Sequence, residues 1–132
     1  VGDGFAGSCP FHGDCLEGLV AGPAIAARAG RPGPEVAGDD PLWTRVADEI
    51  GQFMAMLILT LSPERIVLGG GVVQDRPGLI PLICAAASDQ IAGYVPSSDA
   101  ASLMKVIVPP GLDSQSGILG GAALAMSALG RG

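Results

Sequence analysis

Basic residues are scarce in this chain. Seven Lys and Arg stand against thirteen Asp and Glu, a formal net charge of −6, and the seven are scattered. Binding to a phosphate backbone depends on clustered cations, so nucleic acid is excluded as a partner. Cysteine is also scarce: three in 132 residues, two of them six positions apart with the sole histidine midway. That spacing is no disulfide framework, and a reducing, cytoplasmic setting is expected. Long hydrophobic runs are lacking. The most apolar stretch, 53–61, is far short of the roughly 20 residues a membrane span needs, so no membrane partner is expected. The opening Val1-Gly-Asp-Gly has neither the basic nor the apolar region of a secretory signal. It also lacks a methionine, which leads us to expect further residues upstream. No internal repeat is visible.

What is present is material for one folded domain. Apolar residues make up 48% and charged residues 15%, and the 21 glycines and 11 prolines sit at discrete junctions. Residues 1–14 read as loop. From Cys15 apolar residues fall at helical spacing, with Asp14 as the expected N-cap. Pro23 suits the first turn of a second helix running to Arg28. Residues 30–40, rich in glycine and proline, read as a surface loop of hinge-like character. Asp40-Pro41 then opens the clearest helix, with Asp at the cap and Pro at the first helical position. Trp43, Val46, Ala47, Ile50, Phe53, Met54, Leu57 and Ile58 form its buried face, and Pro63 marks its end. Residues 65–68 read as a buried strand delivered into three glycines. A helix is expected from Pro77 to Ile91, a second strand over 105–108, and a small-residue helix from about Ser116 to Leu129. Strands alternating with helices make this an α/β protein.

The most chemically specific segment is Cys9-Pro-Phe-His12-Gly-Asp-Cys15. Two residues separate each donor from the next, and Gly13 lets the loop turn so that all three face one cation. Thiolate and imidazole suit Zn²⁺, which normally takes four ligands in structural sites. Asp14 is expected to point away, and Cys84, in an apolar helix, reads as a buried, inert thiol. The fourth ligand is therefore expected upstream, or is a water. Two ordinary cysteines beside a surface histidine form the plain alternative. A catalytic Cys–His pair is a third reading, for which no orienting partner is visible.

Gly69, Gly70 and Gly71 follow the first strand. Glycines there let a ligand approach the backbone closely, yet the segment is neither a Walker A sequence nor a Gly-x-Gly-x-x-Gly fingerprint. A ligand-free strand-to-helix turn fits it equally. Ser116 and Gly117, followed by Gly120 and Gly121, open the last helix, where close packing or a helix N-terminus facing nucleotide both fit. Glu17 lies two positions after Cys15 at a helix start. A carboxylate there favours the helix dipole, and carboxylates also accept hydrogen bonds from paired sugar hydroxyls.

Taken together, Cys-Pro-Phe-His-Gly-Asp-Cys-Leu-Glu-Gly-Leu-Val-Ala-Gly-Pro-Ala-Ile over 9–25 resembles the zinc motif of ROK-family fructokinases. Ser-Pro-Glu-Arg-Ile-Val-Leu-Gly-Gly-Gly-Val over 62–72 is similar to that family's glycine turn. Pro109-Pro-Gly-Leu and Ser116-Gly-Ile-Leu-Gly-Gly-Ala match its closing segment. The resemblance implies the C-terminal part of an actin-like, ribonuclease-H-like ATPase fold, with a zinc-binding loop at its N-terminus. Within 1–132 it implies a zinc loop and sugar-contact segment over 1–18 and a nucleotide-side α/β portion over 40–132. It implies ATP-dependent phosphorylation of a hexose, with D-fructose as substrate, Mg²⁺ alongside ATP, and structural Zn²⁺ on Cys9, His12 and Cys15 completed by an upstream histidine. Glu17 matches the glutamate that contacts sugar. Gly22, Pro23, Gly69, Gly70, Gly71, Ser116 and Gly117 match segments lining the nucleotide cleft, and homodimers are common in the family. The family's phosphate loop and catalytic aspartate precede the zinc motif, so this chain is expected to hold no catalytic residue; Asp3 and Asp14 do not replace the aspartate. Asp113 and Ser116 depart from the small residues usual in the closing segment. A sugar-sensing regulator of the same family, or an inactive truncated fragment, is the alternative.

Overall fold

The computed structural model describes residues 4–112 and 115–130; Asp3 and Asp113 lie outside them. Two helices carry the core. Helix α3 (Pro41–Leu61) begins where Asp40 caps it, its carboxylate accepting from the Leu42 amide at 2.9 Å, with Pro41 in the first turn. It ends at Ser62 in the left-handed conformation, one residue before Pro63. Its inward face is Trp43, Val46, Ala47, Ile50, Gly51, Met54, Ala55 and Ile58. Phe53 and Leu57, expected on that face, are half-buried at its margin. Helix α5 (Leu79–Ile91) packs along it through Leu79, Ile80, Ile83, Cys84, Ala87 and Ile91. The two backbones approach closely at Gly51, where a Cβ would sit 2.6 Å from Ala86 Cβ.

Ahead of α3 come α1 (Leu16–Val20) and α2 (Gly22–Ala29), the latter with Pro23 in its first turn and Gly30 as a left-handed C-cap. Asp14 does not cap α1. The cap position is Cys15, which offers no side-chain hydrogen bond to the helix because its thiol is turned toward Cys9 and His12. The loop over 30–40 contains a 3-10 turn (Gly33–Glu35) and is fastened to the core, as described below.

Strand β1 (Ile66–Val67) pairs in parallel with β2 (Ile107–Val108), Ile66 opposite Ile107. The Ile66 amide donates to Val106 at 2.8 Å and the Leu68 amide to Val108 at 2.9 Å. Parallel strands need a crossover, supplied here by α4 (Gly71–Gln74), α5 and α6 (Ala100–Leu103). The short helices α4 and α6 are too brief to leave a periodic signature, and the sequence reading did not separate them. Helix α7 (Ser116–Leu129) has the expected bounds. It is apolar around its circumference yet buries no residue; Ile118, Leu124, Met126 and Leu129 are all exposed. No helix among the described residues is long and apolar enough to cross a membrane.

Candidate functional site

The segment preceding α1 closes on itself. Cys9 and Gly13 form an isolated antiparallel bridge, the Cys9 amide donating to Gly13 at 3.2 Å and the Gly13 amide to Cys9 at 3.0 Å. Gly13 is left-handed at φ +65, so the turn depends on its lack of a Cβ. The loop is laid on α1 at Gly18. The Ser8 amide donates to the Gly18 carbonyl at 2.9 Å, and a Cβ at Gly18 would meet Gly13 O at 1.9 Å and Cys9 Cβ at 2.9 Å. Gly18 was missed as part of the site, although a glycine inside a five-residue helix, between Glu17 and Leu19, is its signal in the sequence.

This fold brings Cys9, His12 and Cys15 together, with one donor atom from each lying within 4.8 Å of the others. Cys9 Sγ stands 3.9 Å from His12 Nδ1. A tetrahedral zinc site with Zn–S of about 2.3 Å and Zn–N of about 2.0 Å separates its donors by roughly 3.5–3.8 Å, so the three need draw in by only about 1 Å. The backbone N–H of Phe11, and next that of His12, hold the Cys9 thiol below its ordinary value, with help from Cys15. Burial and the Glu17 carboxylate oppose them. Amides directed at a sulfur favour thiolate, the form a metal takes. Donor set and electrostatics therefore fit Zn²⁺. Cys84 is fully buried and burial pushes its thiol up, so it is an inert core residue.

Glu17 is exposed on the first turn of α1, its Oε2 4.0 Å from Cys9 Sγ. One helix further on, Gly22 reaches a different surface. A cavity of about 360 Å³ is lined by Leu16, Val20, Gly22, Gly69, Gly70 and Gly71, among others. Gly70, at φ +108 and ψ 157, occupies a region that only glycine enters readily. Gly69 has its own constraint, since a Cβ there would meet Pro110 Cγ at 2.9 Å. The closing Pro109-Pro110 thus rests directly on the glycine turn. A second cavity, about 440 Å³, shares Gly22 and Gly71 and is walled by Gly33, Pro34, Trp43 and Arg76. Pro23 is exposed beside Gly22, while Ser116 and Gly117, at the start of α7, line neither cavity.

A family model described as the ROK family matches residues 2–128. A fructokinase of Pediococcus pentosaceus is 41% identical over 128 residues, which is 97% of this chain and 43% of that protein. A fructokinase of Zymomonas mobilis is 37% identical over 129 residues, 94% of this chain and 40% of its own length. One from Lactococcus lactis reaches 51% identity over 79 residues, 60% of this chain and 27% of that protein. The chain thus spans about two fifths of the length of the first two relatives.

Proposed function

Because this chain belongs to the ROK family, we propose that the gene product carrying it is a fructokinase-type sugar kinase, transferring the γ-phosphoryl group of ATP to a hexose. D-Fructose, giving fructose 6-phosphate, is the substrate this reading assigns. The observation that carries it is the convergence of Gly22 with Gly69, Gly70 and Gly71 on one cavity, only five residues beyond Glu17. A sugar held by Glu17 and a nucleotide held by the glycines would then be neighbours along α1 and α2. Phosphoryl transfer depends mainly on such positioning and on electrostatic stabilisation.

In this reading Cys9, His12 and Cys15 hold structural Zn²⁺, with a fourth ligand supplied from outside the three. The ion's contribution is to fix the loop over 9–15 so that Glu17, two residues on, faces the sugar hydroxyls as an acceptor. Gly22, Pro23, Gly69, Gly70 and Gly71 let the nucleotide approach the backbone, and Mg²⁺ accompanies ATP. Ser116 and Gly117 join them when α7 is packed against its proper neighbour. This chain contributes binding surfaces and no catalytic base, and ATP as co-substrate is consistent with a cytoplasmic enzyme. The curated relatives matched along most of the chain carry the name fructokinase, which favours this reading over a sugar-sensing regulator.

The test is a comparison of the complete gene product with its Cys15→Ser variant, using ATP, Mg²⁺ and a panel of hexoses. Turnover with fructose is expected for the parent. The variant should lose zinc and show a raised KM for sugar, with the KM for ATP little changed. Full zinc content and an unaltered sugar KM in Cys15→Ser would end the assignment.

A further inference from the structure

We propose that Arg76 is a positioning residue for the nucleotide, fixing the outer wall of the cavity that Gly22 and Gly71 line. The inference rests on the nucleotide reading above and extends it from the 360 Å³ cavity, which Arg76 does not line, to the adjoining 440 Å³ one, which shares Gly22 and Gly71 with it. Arg76 lies just beyond α4, the helix launched by the glycine turn, and is half-buried. Its guanidinium stands 3.8 Å from the centre of the Trp43 ring. Its Nη2 donates to the carbonyl of Gly33 at 2.9 Å and, by a short bond, to that of Val36. Trp43 in turn donates from Nε1 to Ala37 at 2.8 Å. Two side chains in contact with each other thus hold three carbonyls of one loop.

The 3-10 turn has its own internal bonds, Glu35 N to Pro32 at 2.9 Å and Val36 N to Gly33 at 3.1 Å. It needs no cation to form. Exposed carbonyls would otherwise be served by water, whereas drawing a guanidinium partly out of solvent costs free energy. What that cost secures is a distance. Gly33 and Pro34 form one side of the 440 Å³ cavity, Gly71 and Val72 the other, and Arg76 is covalently part of the second side while bonded to the first. The width of the cavity is therefore set before a ligand arrives, and a preset site binds more tightly because less ordering remains to be done. The volume falls within the range of small-molecule sites. Only arginine combines a planar face for Trp43 with several donors in a fixed fork; lysine keeps a charge and donors for the loop carbonyls but lacks the planar face and the fork.

The experiment measures ADP affinity by calorimetry, and KM and kcat for both substrates, in the complete gene product and its Arg76→Met and Arg76→Lys variants. Arg76→Met should bind ADP at least about tenfold more weakly and raise the KM for ATP similarly, with sugar KM and zinc content within twofold of the parent. Arg76→Lys should recover part of the loss. A variant with folded-state circular dichroism and parental ADP affinity would overturn the role of Arg76 while leaving the nucleotide reading intact. A parent that binds no ADP would overturn both. Should Arg76→Met fail to fold, Pro34→Gly loosens the same wall with Arg76 in place. Its ADP affinity should fall as well, and an unchanged value would overturn the proposal.

Discussion

Cys9 Sγ and Glu17 Oε2 lie 4.0 Å apart, so the side chain assigned to zinc and the one assigned to sugar share a boundary. Backbone amides dominate the lowering of the Cys9 thiol, and the Glu17 charge opposes them. Glu17→Gln removes that opposition, which lowers the Cys9 value further and extends thiolate to lower pH. Titration of the metal-free protein, followed by the ultraviolet absorbance of thiolate, should therefore show Cys9 ionising at lower pH in the variant. Sugar KM should rise at least tenfold, as loss of charged hydrogen bonds worth about 1.5–3 kcal/mol implies. An unchanged sugar KM would remove Glu17 from the sugar site.

The support beneath the loop over 9–15 is a glycine. At Gly18 a Cβ has no room against Gly13 O and Cys9 Cβ, both of them parts of the loop itself. Gly18→Ala should displace the loop and cut zinc affinity by about 10–100-fold, the range seen when groups supporting metal ligands are removed. Gly18 is not a member of the hydrophobic core built on α3 and α5, so helical content by far-UV circular dichroism should hold. Parental zinc affinity in Gly18→Ala would show that the loop is not seated on α1.

Burial pushes the Cys84 thiol up. A thiol that ionises less readily when folded contributes stability that is full below its unfolded value of about 8.5. That contribution is lost as pH rises through the raised folded value. Urea denaturation between pH 7 and 10 should show the parent losing stability more steeply than Cys84→Ala above pH about 8.5. A thiol reagent at pH 8 should reach Cys84 only after denaturant is added.

Arg28 and Glu49 form a two-pronged ion pair between α2 and α3, at 2.6 and 3.0 Å, with side-chain exposures of 4% and 17%. Phe5 lies against the guanidinium, 4.7 Å from its ring centre, which ties the segment ahead of the metal loop to the same pair. Arg28→Met leaves a largely buried carboxylate and should cost about 3–5 kcal/mol in urea denaturation. Adding Glu49→Leu should recover most of it. A double variant no more stable than the single one would show that packing, not charge, fails.

Much of this was legible because it is written locally. Asp40 and Pro41 announce α3, and its three/four periodicity names the buried face with only Phe53 and Leu57 misplaced to the margin. Cys9, His12 and Cys15 are within one turn of chain, so their spacing alone predicts that they meet. Asp14 misled because a capping preference competes poorly with a neighbouring thiol turned into a cluster. The link from Arg76 to Gly33 and Val36 joins residues about forty positions apart, and a single arginine carries no pattern that would reveal it. An all-round apolar α7 reads as a buried helix, yet its sequence does not name the surface that would cover it.

The parallel strand pair has a consequence for the order in which the molecule assembles. Ile66 and Ile107 must meet across some forty residues of crossover, and only when they do can Pro110 come to rest on Gly69. Contacts of such long range form late and slowly compared with local helix formation. The ladder is also very short, so it is among the first parts to open when the protein fluctuates. A molecule caught with that ladder open keeps its helical core and the loop over 9–15, but its glycine turn loses the support of Pro110 at Gly69. In the proposed reading, the glycine turn that faces nucleotide is thus steadied late in folding and loosened early by heat or denaturant.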